Sequence, residues 1–254
     1  MLVNLVLPIL TEDTCVIKNV PRIGDVLLNL EILRSLGARV VWLDPHQVSI
    51  TCKELKNKEI SPELAVRTTG SRFLIPPLVL RLGSVVTGMS LGDNIGNDRG
   101  FNDFINMLGQ FRIKHEKIGT KYRFYLDTKV KSAETLDLSY PSFSGTVGAI
   151  LASVLGKAQL TINGANQSPE LDNVIEMLKS MGAEISQQAN RIEIFGRDRL
   201  HGTAFKNLSD HNALVTYSLA AIITNSHLIL NGFSNFKLNS FWGFLDKIKA
   251  SYVL

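Results

Sequence analysis

The chain contains 254 residues, of which 45% are hydrophobic and 20% are charged, so it can bury a sizeable core as one large domain or two smaller ones. Its 27 lysines and arginines exceed its 23 acidic residues by a net charge of +4. This surplus is spread along the sequence, without the clustered basic face that is typical of nucleic-acid-binding proteins. No apolar run reaches the roughly 18 residues of a membrane span, and residues 2–10 lack the features of a signal peptide. We therefore expect neither a nucleic-acid nor a membrane partner.

The cysteines and histidines exclude further classes of site. Cys15 and Cys52 are isolated thiols with neither a CxxC motif nor metal-ligand spacing, which suits a reducing cytoplasm. The five histidines are scattered at spacings that match no metal-ligand pattern. We therefore expect a cytoplasmic protein without a metal ion or cofactor, and the sequence leaves its oligomeric state open.

In chain order, one supersecondary pattern recurs: a short strand, an amphipathic helix that ends at a glycine, and a second strand. Its two clear copies have strands at 15–20 and 159–164, helices at 25–36 and 170–181, and second strands from 38 and 183. The helix ends are nearly identical in sequence, LRSLGA at 33–38 and LKSMGA at 178–183. Two fainter copies have strands at 84–88 and 228–232 and helices at 101–108 and 241–248. The helix-ending residues Gly37, Gly109, Gly182 and Lys249 are about seventy residues apart, which indicates a duplicated unit.

Each unit also contains a second helix ahead of its short strand. These helices are predicted at 5–10, 71–82, 146–155 and 212–224. Residues suited to N-capping lead them: Asn4, the run at 68–71, Ser142 with the run at 144–146, and Ser209 with Asp210. The helices are apolar nearly all round, so we expect them to be buried. Several buried helix N-termini that point at one region favour an anion site there.

The loop at 90–99 is the most distinctive stretch of polar sequence. Gly92 and Gly96 allow positive φ or a close approach of the backbone to a ligand. Asp93 supplies a carboxyl group, and Arg99 supplies a planar cation suited to phosphate or carboxylate. Taken alone, this composition is also typical of an ordinary turn.

These landmarks together resemble the enolpyruvyl transferase family, and within it the enzymes that act on UDP-N-acetylglucosamine. The segments that carry the resemblance are 4–10, 19–26, 33–38, 92–96 with Arg99, and 170–185. The resemblance implies an α/β fold, an inside-out α/β barrel built from repeated units of about 70 residues, with substrates bound between two domains of three units each. We therefore predict one domain of three repeat units at 1–207 and the first, incomplete unit of a second domain at 208–254. By this comparison, roughly a third of a complete family member is expected to be absent.

The resemblance also implies a reaction. An enolpyruvyl group moves from phosphoenolpyruvate to the 3-hydroxyl of UDP-N-acetylglucosamine with release of phosphate, in the synthesis of peptidoglycan precursors for the cell wall. The chemistry needs an acid for the methylene carbon, a base for the hydroxyl proton, and cations for phosphate and carboxylate. The acid-bearing loop of the family corresponds to the loop of Asp93, whose pKa has to be raised for this role.

The implied substrate-binding residues fall in three segments. They are Asn4, Arg99, Gly100, Phe101, Asn102, Asp103, Ser142, Phe143 and Ser144. Asn4 belongs to the phosphoenolpyruvate-binding start of the first helix, and Arg99 to the contacts with the nucleotide sugar. The run at 100–103 stands where the family binds the nucleotide, and the run at 142–144 resembles the loop over the uridine diphosphate.

Three departures from the family pattern remove positive charge: Val3 stands in place of a lysine, a lysine expected near Tyr140 is lost, and an arginine expected near Thr69 is replaced. Because each lost cation commonly costs about 3 kcal/mol in the transition state, we expect weak or absent turnover by this chain alone. Two alternatives stay open. The first is a non-catalytic fragment or nucleotide-sugar-binding domain, and the second is a transferase like enolpyruvylshikimate-phosphate synthase.

Overall fold

The computed structural model describes residues 2–56, 58–88, 99–129, 131–157, 159–233 and 238–253, which divide into two compact units at 1–207 and 208–254. The helices are α1 (Gly24–Ser35), α2 (Pro62–Ala65), α3 (Ile75–Leu82), α4 (Arg99–Gln110), α5 (Phe143–Ser153), α6 (Pro169–Ser180), α7 (His211–Ile223) and α8 (Asn239–Lys247). The strands are β1 (Thr14–Lys18), β2 (Arg39–Asp44), β3 (Gln47–Thr51), β4 (Glu59–Ile60), β5 (Ser84–Thr87), β6 (Ile113–Ile118), β7 (Lys121–Leu126), β8 (Thr135–Asp137), β9 (Gln159–Asn163), β10 (Glu184–Gln188), β11 (Arg191–Phe195) and β12 (Ala204–Lys206). Short 3₁₀ helices cover Leu2–Leu5, Leu7–Leu10 and Thr69–Leu74.

The first unit contains three four-stranded sheets of one design. Their strand orders are β12-β1-β3-β2, β4-β5-β7-β6 and β8-β9-β11-β10. In each sheet the first pair is parallel and the other two pairs are antiparallel. The repetition of this topology confirms the duplicated α/β unit that the sequence predicts. The parallel strand of the first sheet is β12, so the last strand of the unit pairs with the first one.

Alternating side chains place one face of each sheet in the core. Cys15 and Ile17 of β1 are buried beside Val48 and Ile50 of β3, while the residues between them are less buried. Burial raises the pKa of the Cys52 thiol, just after β3, to about 12, so this cysteine stays protonated near neutral pH.

Three helical segments, at 2–10, 69–82 and 143–153, form the centre of the first unit, and α1, α4 and α6 pack outside them. All residues of α5 from Gly145 to Ser153 are buried, as expected for a helix that is apolar all round. The Arg81 guanidinium, at the end of α3, donates hydrogen bonds to the backbone oxygens of Ile9 (2.7 Å) and Thr11 (2.9 Å). It thereby satisfies carbonyl groups left free where the first central segment ends.

Several helix boundaries of the first unit differ from the sequence prediction: the helix predicted at 71–82 is a 3₁₀ helix followed by α3, and the one predicted at 146–155 is α5. The helix predicted at 5–10 is a pair of 3₁₀ turns, because Pro8 has no N–H to donate and lies in the middle of the segment. The predicted cap at Gly109 is wrong. Helix α4 continues to Gln110, and the left-handed residue that ends it is Arg112, with φ of 68°. Gly37 and Gly182 do adopt the predicted left-handed conformation, with φ of 104° and 93°.

The second unit contains α7 and α8. Asp210 caps α7 as predicted, since its side chain accepts a hydrogen bond from the N–H of Asn212 at 2.9 Å. Two predictions for this unit are wrong. Residues 228–232 form no strand, because in the described part of the chain no other strand pairs with them. Helix α7 is also largely exposed, with Leu214 as its buried residue and Ile223 83% exposed.

Within the described ranges, no helix combines the length and the hydrophobicity that a membrane crossing requires. The assignment of 1–207 as three repeat units and of 208–254 as the start of a second domain stays a prediction.

Candidate functional site

The candidate site lies at the end of the first unit where the outer helices begin. There, polar side chains of α1, α4 and α6 meet the starts of the three central segments. We name these side-chain contacts the α1 junction (Asn29 with Thr68), the α4 junction (Asp103 with Tyr140) and the α6 junction (Asn173 with Asn4). In each junction, both residues lie near the N-terminus of a helical segment. This end of the unit therefore carries the positive ends of several helix dipoles.

The α6 junction is a buried cluster of asparagines. The Asn4 Nδ2 atom donates to the Oδ1 atoms of Asn173 at 2.9 Å and of Asn207 at 2.8 Å. Asn19 holds the backbone of Asn207 through a 3.0 Å bond from its Nδ2 atom to the carbonyl oxygen. Among the described residues, the buried Asn4 Oδ1 and Asn207 Nδ2 atoms have no hydrogen-bond partner. Asn4 is 0% exposed, and both N–H groups of its amide are used in these bonds. Its Oδ1 atom is therefore the part of the side chain that is able to accept a further bond.

The α1 junction is also buried. The Thr68 hydroxyl oxygen accepts the N–H of Gly70 at 3.2 Å and so caps the 3₁₀ helix Thr69–Leu74. Asn29 Nδ2 lies 3.5 Å from that oxygen and donates a shorter bond, of 2.8 Å, to the backbone oxygen of Asp25. The cap that the sequence predicts within 68–71 is therefore confirmed, and the structure places it at Thr68.

The α4 junction is open to solvent. The Tyr140 hydroxyl lies 3.5 Å from Asp103 Oδ2, both residues are exposed, and Tyr140 is 53% exposed. Beneath this pair, the ring of Phe73 packs edge-on against Phe104 at 6.3 Å and Phe143 at 6.1 Å between centroids. These aromatic contacts hold the first turn of α4 close to the first turn of α5.

Helix α4 approaches α5 closely because Gly148 has no side chain. A Cβ atom at Gly148 would lie 2.5 Å from the Cε atom of Met107 and 2.6 Å from the ring of Phe104. This close packing fixes the distance between the two helix N-termini at the α4 junction.

The N-terminus of α5 is partly satisfied by its own cap. The Ser142 hydroxyl oxygen accepts the N–H of Gly145 at 3.1 Å, which confirms the predicted cap. The N–H groups of Phe143 and Ser144 precede the first intrahelical bond, so the helix itself offers them no acceptor. They point with the helix dipole towards the α4 junction and suit an anionic group of a ligand.

Arg72, in the second central segment, supplies a positive charge near this end of the unit. Burial lowers the pKa of its guanidinium, which nevertheless remains protonated at neutral pH because arginine titrates far above that range. Val3 is buried in the core, so its position contributes no cation to the site.

The structure brings together some of the predicted site residues. Asp103 and the run at 142–144 lie at the α4 junction, and the backbone of residues 99–102 forms the first turn of α4 beside them. Asn4 belongs to the separate α6 junction. Asp93 and the rest of the loop at 90–98 lie outside the described residues, so the catalytic role of Asp93 stays a prediction.

Sequence reasoning missed several polar residues at these junctions. They are Asn29, Asn173 and Asn207, and Tyr140 enters the sequence analysis only as a place where a lysine is lost. Two of them carry a sequence signal, since Asn29 and Asn173 occupy positions on the apolar faces of α1 and α6, where an asparagine needs a buried partner. Across the described ranges, His, Cys, Asp and Glu side chains form no group of three that is able to hold a metal ion.

Comparison with protein families gives one match along nearly the whole chain. The family described as EPSP synthase (3-phosphoshikimate 1-carboxyvinyltransferase) matches residues 3–251. A relative from Prochlorococcus marinus (strain NATL2A), named UDP-N-acetylglucosamine 1-carboxyvinyltransferase, is 32% identical over 225 residues, which are 87% of this chain and 49% of the relative. A relative of the same name from Wolbachia sp. subsp. Brugia malayi (strain TRS) is 33% identical over 241 residues, 90% of this chain and 56% of the relative. The chain thus spans about half the length of the curated relatives that it matches.

Solved structures show the same fold. The enolpyruvyl transferase NikO from Streptomyces tendae superposes with a TM-score of 0.76 at 18% identity, over 87% of this chain and 52% of that one. An EPSP synthase from Acinetobacter baumannii gives a TM-score of 0.67, also at 18% identity, over 87% of this chain and 51% of that one. Both likenesses concern the fold, in agreement with the three repeated sheets of the first unit.

Proposed function

The chain belongs to the EPSP synthase family of enolpyruvyl transferases, and on that premise we propose that it serves the transfer of an enolpyruvyl group from phosphoenolpyruvate to the 3-hydroxyl of UDP-N-acetylglucosamine. Phosphate is released, and the product is a peptidoglycan precursor. The observation that carries the proposal is the 32–33% identity, over about nine tenths of the chain, to relatives named for this reaction. Since the chain spans about half of those relatives, its own activity is a separate question that needs a direct test.

We assign the α4 junction to the nucleotide sugar. The free N–H groups of Phe143 and Ser144 are suited to a diphosphate oxygen, and the Ser142 hydroxyl lies on the same turn. Asp103 and Tyr140 are exposed hydrogen-bonding groups that face the same surface and suit the hydroxyls of a sugar. Arg99 begins α4, where a guanidinium is suited to pair with phosphate.

We assign the acid step to Asp93. Its carboxyl group would give a proton to the methylene carbon of phosphoenolpyruvate, and the sugar hydroxyl would add to the neighbouring carbon as a base takes its proton. The adduct would then lose phosphate together with a proton of the new methyl group, which restores the double bond of the enolpyruvyl product. This role needs an aspartate whose pKa is raised by burial or by a second carboxylate. The missing cations at Val3, Thr69 and Tyr140 weaken binding of the phosphate and carboxylate groups, so we expect slow turnover even where the nucleotide sugar binds.

The test measures binding and turnover separately on the full chain. Calorimetry with UDP-N-acetylglucosamine is expected to show saturable binding that Arg99→Gln weakens about tenfold or more, as for the loss of a charge-assisted hydrogen bond. The matched control is Arg39→Gln, because Arg39 is an exposed arginine at the start of β2, beyond the far end of α1. A phosphate-release assay with both substrates then compares the chain with Asp93→Asn, which is expected to abolish any turnover without changing nucleotide-sugar affinity.

The outcomes separate the competing functions. Nucleotide-sugar binding without phosphate release supports a binding domain that has lost turnover, the alternative that Val3, Thr69 and Tyr140 favour. Phosphate release that is unchanged in Asp93→Asn contradicts the role of Asp93. Release with shikimate 3-phosphate in place of the nucleotide sugar would favour the shikimate branch, which the names of the two relatives make the weaker candidate.

A further inference from the structure

A basic depression lies at the opposite end of the first unit from the α4 junction. Its volume is about 680 Å³, and it is lined by Arg112, Thr128, Lys129, Lys131, Ser132, Glu134, Lys157 and Gln159. Arg112 follows the C-terminal end of α4 and Lys157 that of α5, whereas the candidate substrate residues begin the same two helices. At 1.5 Å per residue, the twelve residues of α4 separate the two places by about 18 Å.

The fold collects charges here that are scattered in the sequence. Arg112, Lys129, Lys131 and Lys157 face a single acid, Glu134, so the lining carries a net charge of +3. The whole chain has a net charge of +4.

Three of these cations remain available to a ligand. Lys131 pairs with Glu134, with 2.9 Å between Nζ and Oε1. Among the described residues, no carboxylate lies within ion-pair distance of Arg112, Lys129 or Lys157. Helix dipoles favour cations at the ends of α4 and α5, but Lys129 and Lys131 follow a strand, so the dipoles do not account for them.

The rim of the depression is anchored to the fold at both ends. The N–H of Asp127 donates to the Arg112 carbonyl at 2.8 Å, and the N–H of Ala133 donates to the Gln110 carbonyl at 2.9 Å. The Arg112 Nε atom in turn donates to the Asp127 carbonyl at 3.3 Å, which orients its guanidinium. These bonds hold the segment that carries Lys129 and Lys131 against the end of α4.

The lining also indicates what kind of anion fits. The hydroxyls of Thr128 and Ser132 and the amide of Gln159 add neutral hydrogen-bonding groups to the cations. None of the described lining residues is aromatic, so they offer a nucleobase no ring to stack on. The three available cations exceed what one phosphate group needs.

We propose that this depression binds a small soluble anion with two or more linked phosphate groups, which it recognises through the phosphates alone. The site is separate from the α4 junction and does not depend on the transferase reaction. Affinity is expected to rise from orthophosphate to pyrophosphate to tripolyphosphate, because each added phosphate group meets another cation. A nucleoside triphosphate is expected to bind no more tightly than tripolyphosphate.

The experiment is calorimetric titration of the full chain with tripolyphosphate at about 0.15 M salt, where weak surface electrostatics are screened. The test variant is Lys129→Gln with Lys157→Gln, and both lysines are exposed, so the fold tolerates the change. The matched control is Lys117→Gln with Lys179→Gln, which removes the same charge from exposed lysines on β6 and α6. We expect saturable binding whose affinity is weakened at least tenfold in the test variant and changed less than twofold in the control.

Three results would overturn the proposal. These are an absence of saturable binding, an equal loss in the control variant, and binding of the chain to phosphatidylglycerol vesicles without binding of tripolyphosphate. The third result would assign the patch to a lipid surface instead. Titration of the same variants with UDP-N-acetylglucosamine keeps this test separate from the proposed reaction, since the lysine changes are expected to leave that affinity unaltered.

Discussion

The three junctions of the first unit share one topology but differ in solvent exposure: two are buried and one is open. At the α6 and α1 junctions, Asn4 is 0% exposed and Thr68 is 2% exposed, and the Asn4 Nδ2 atom and the Thr68 hydroxyl bond to neighbouring side chains and backbone. At the α4 junction, Tyr140 is 53% exposed and its bond to Asp103 is long, at 3.5 Å. A repeated unit therefore places a polar contact at every helix start, and the side chains decide which of these contacts a ligand can reach.

This difference separates stability from function. A buried polar network is costly to leave unsatisfied, so it holds its segments in one arrangement. An exposed pair contributes little to folding, because each group can bond to water instead. We therefore expect substitutions at the α6 and α1 junctions to lower the free energy of unfolding, and those at the α4 junction to lower ligand affinity.

The largest effect is expected at the α6 junction. Asn4→Leu removes both hydrogen bonds of the Asn4 amide, so the buried Oδ1 atoms of Asn173 and Asn207 lose this donor. The loss should lower the free energy of unfolding by about 2–4 kcal/mol. Urea denaturation measures this loss. The control is the double variant Asn4→Leu with Asn173→Leu in a double-mutant cycle. Strictly additive losses would show that the two amides are not coupled.

A smaller loss is expected at the α1 junction. Thr68→Val keeps the shape of the side chain but removes the oxygen that caps Gly70, which should cost about 1–2 kcal/mol. Thr68→Ser retains the oxygen and is expected to stay within about 0.5 kcal/mol of the original chain in the same urea experiment. Equal losses in the two variants would mean that the methyl group, not the cap, stabilises this junction.

The helix caps at these junctions and the ends of the outer helices are largely predictable from the sequence, because each depends on neighbouring residues. The caps at Thr68 and Ser142 are confirmed, because an N-cap needs only a small oxygen-bearing side chain just before a helical pattern. The left-handed helix ends at Gly37 and Gly182 are confirmed for an equally local reason. The end of α4 was placed wrongly at Gly109, since the glycine lies inside the helix and an arginine takes the left-handed conformation instead.

Long-range partners are not predictable in this way. Asn4 and Asn173 are 169 residues apart, and periodicity indicates only that each faces the core, not which side chain it meets. The pairing of β12 with β1 is equally hard to predict, because it joins the two ends of the first unit in one sheet. The basic depression is a further case, because its cations come from separate parts of the sequence.

The third prediction sharpens the comparison at the start of α5. Ser142→Ala removes the cap on Gly145 and should lower the free energy of unfolding by about 1 kcal/mol. Ser142→Asp keeps a capping oxygen and should restore the stability, but its negative charge lies where we propose that the diphosphate binds. The aspartate variant is therefore expected to fold normally and to lose affinity for UDP-N-acetylglucosamine by calorimetry. Unchanged affinity would place the diphosphate elsewhere.

The smallest effect on stability is expected at the open junction itself. Tyr140→Phe removes one exposed hydroxyl and should change the free energy of unfolding by less than about 0.5 kcal/mol. The same change is expected to weaken nucleotide-sugar binding several-fold, since the hydroxyl and Asp103 form the exposed polar surface beside the α5 N-terminus. Tyr217→Phe is the matched control, because Tyr217 is a similarly exposed tyrosine on α7. If Tyr140→Phe instead destabilises the chain as much as Thr68→Val does, the α4 junction supports the fold like the other two, and the separation of stability from function fails.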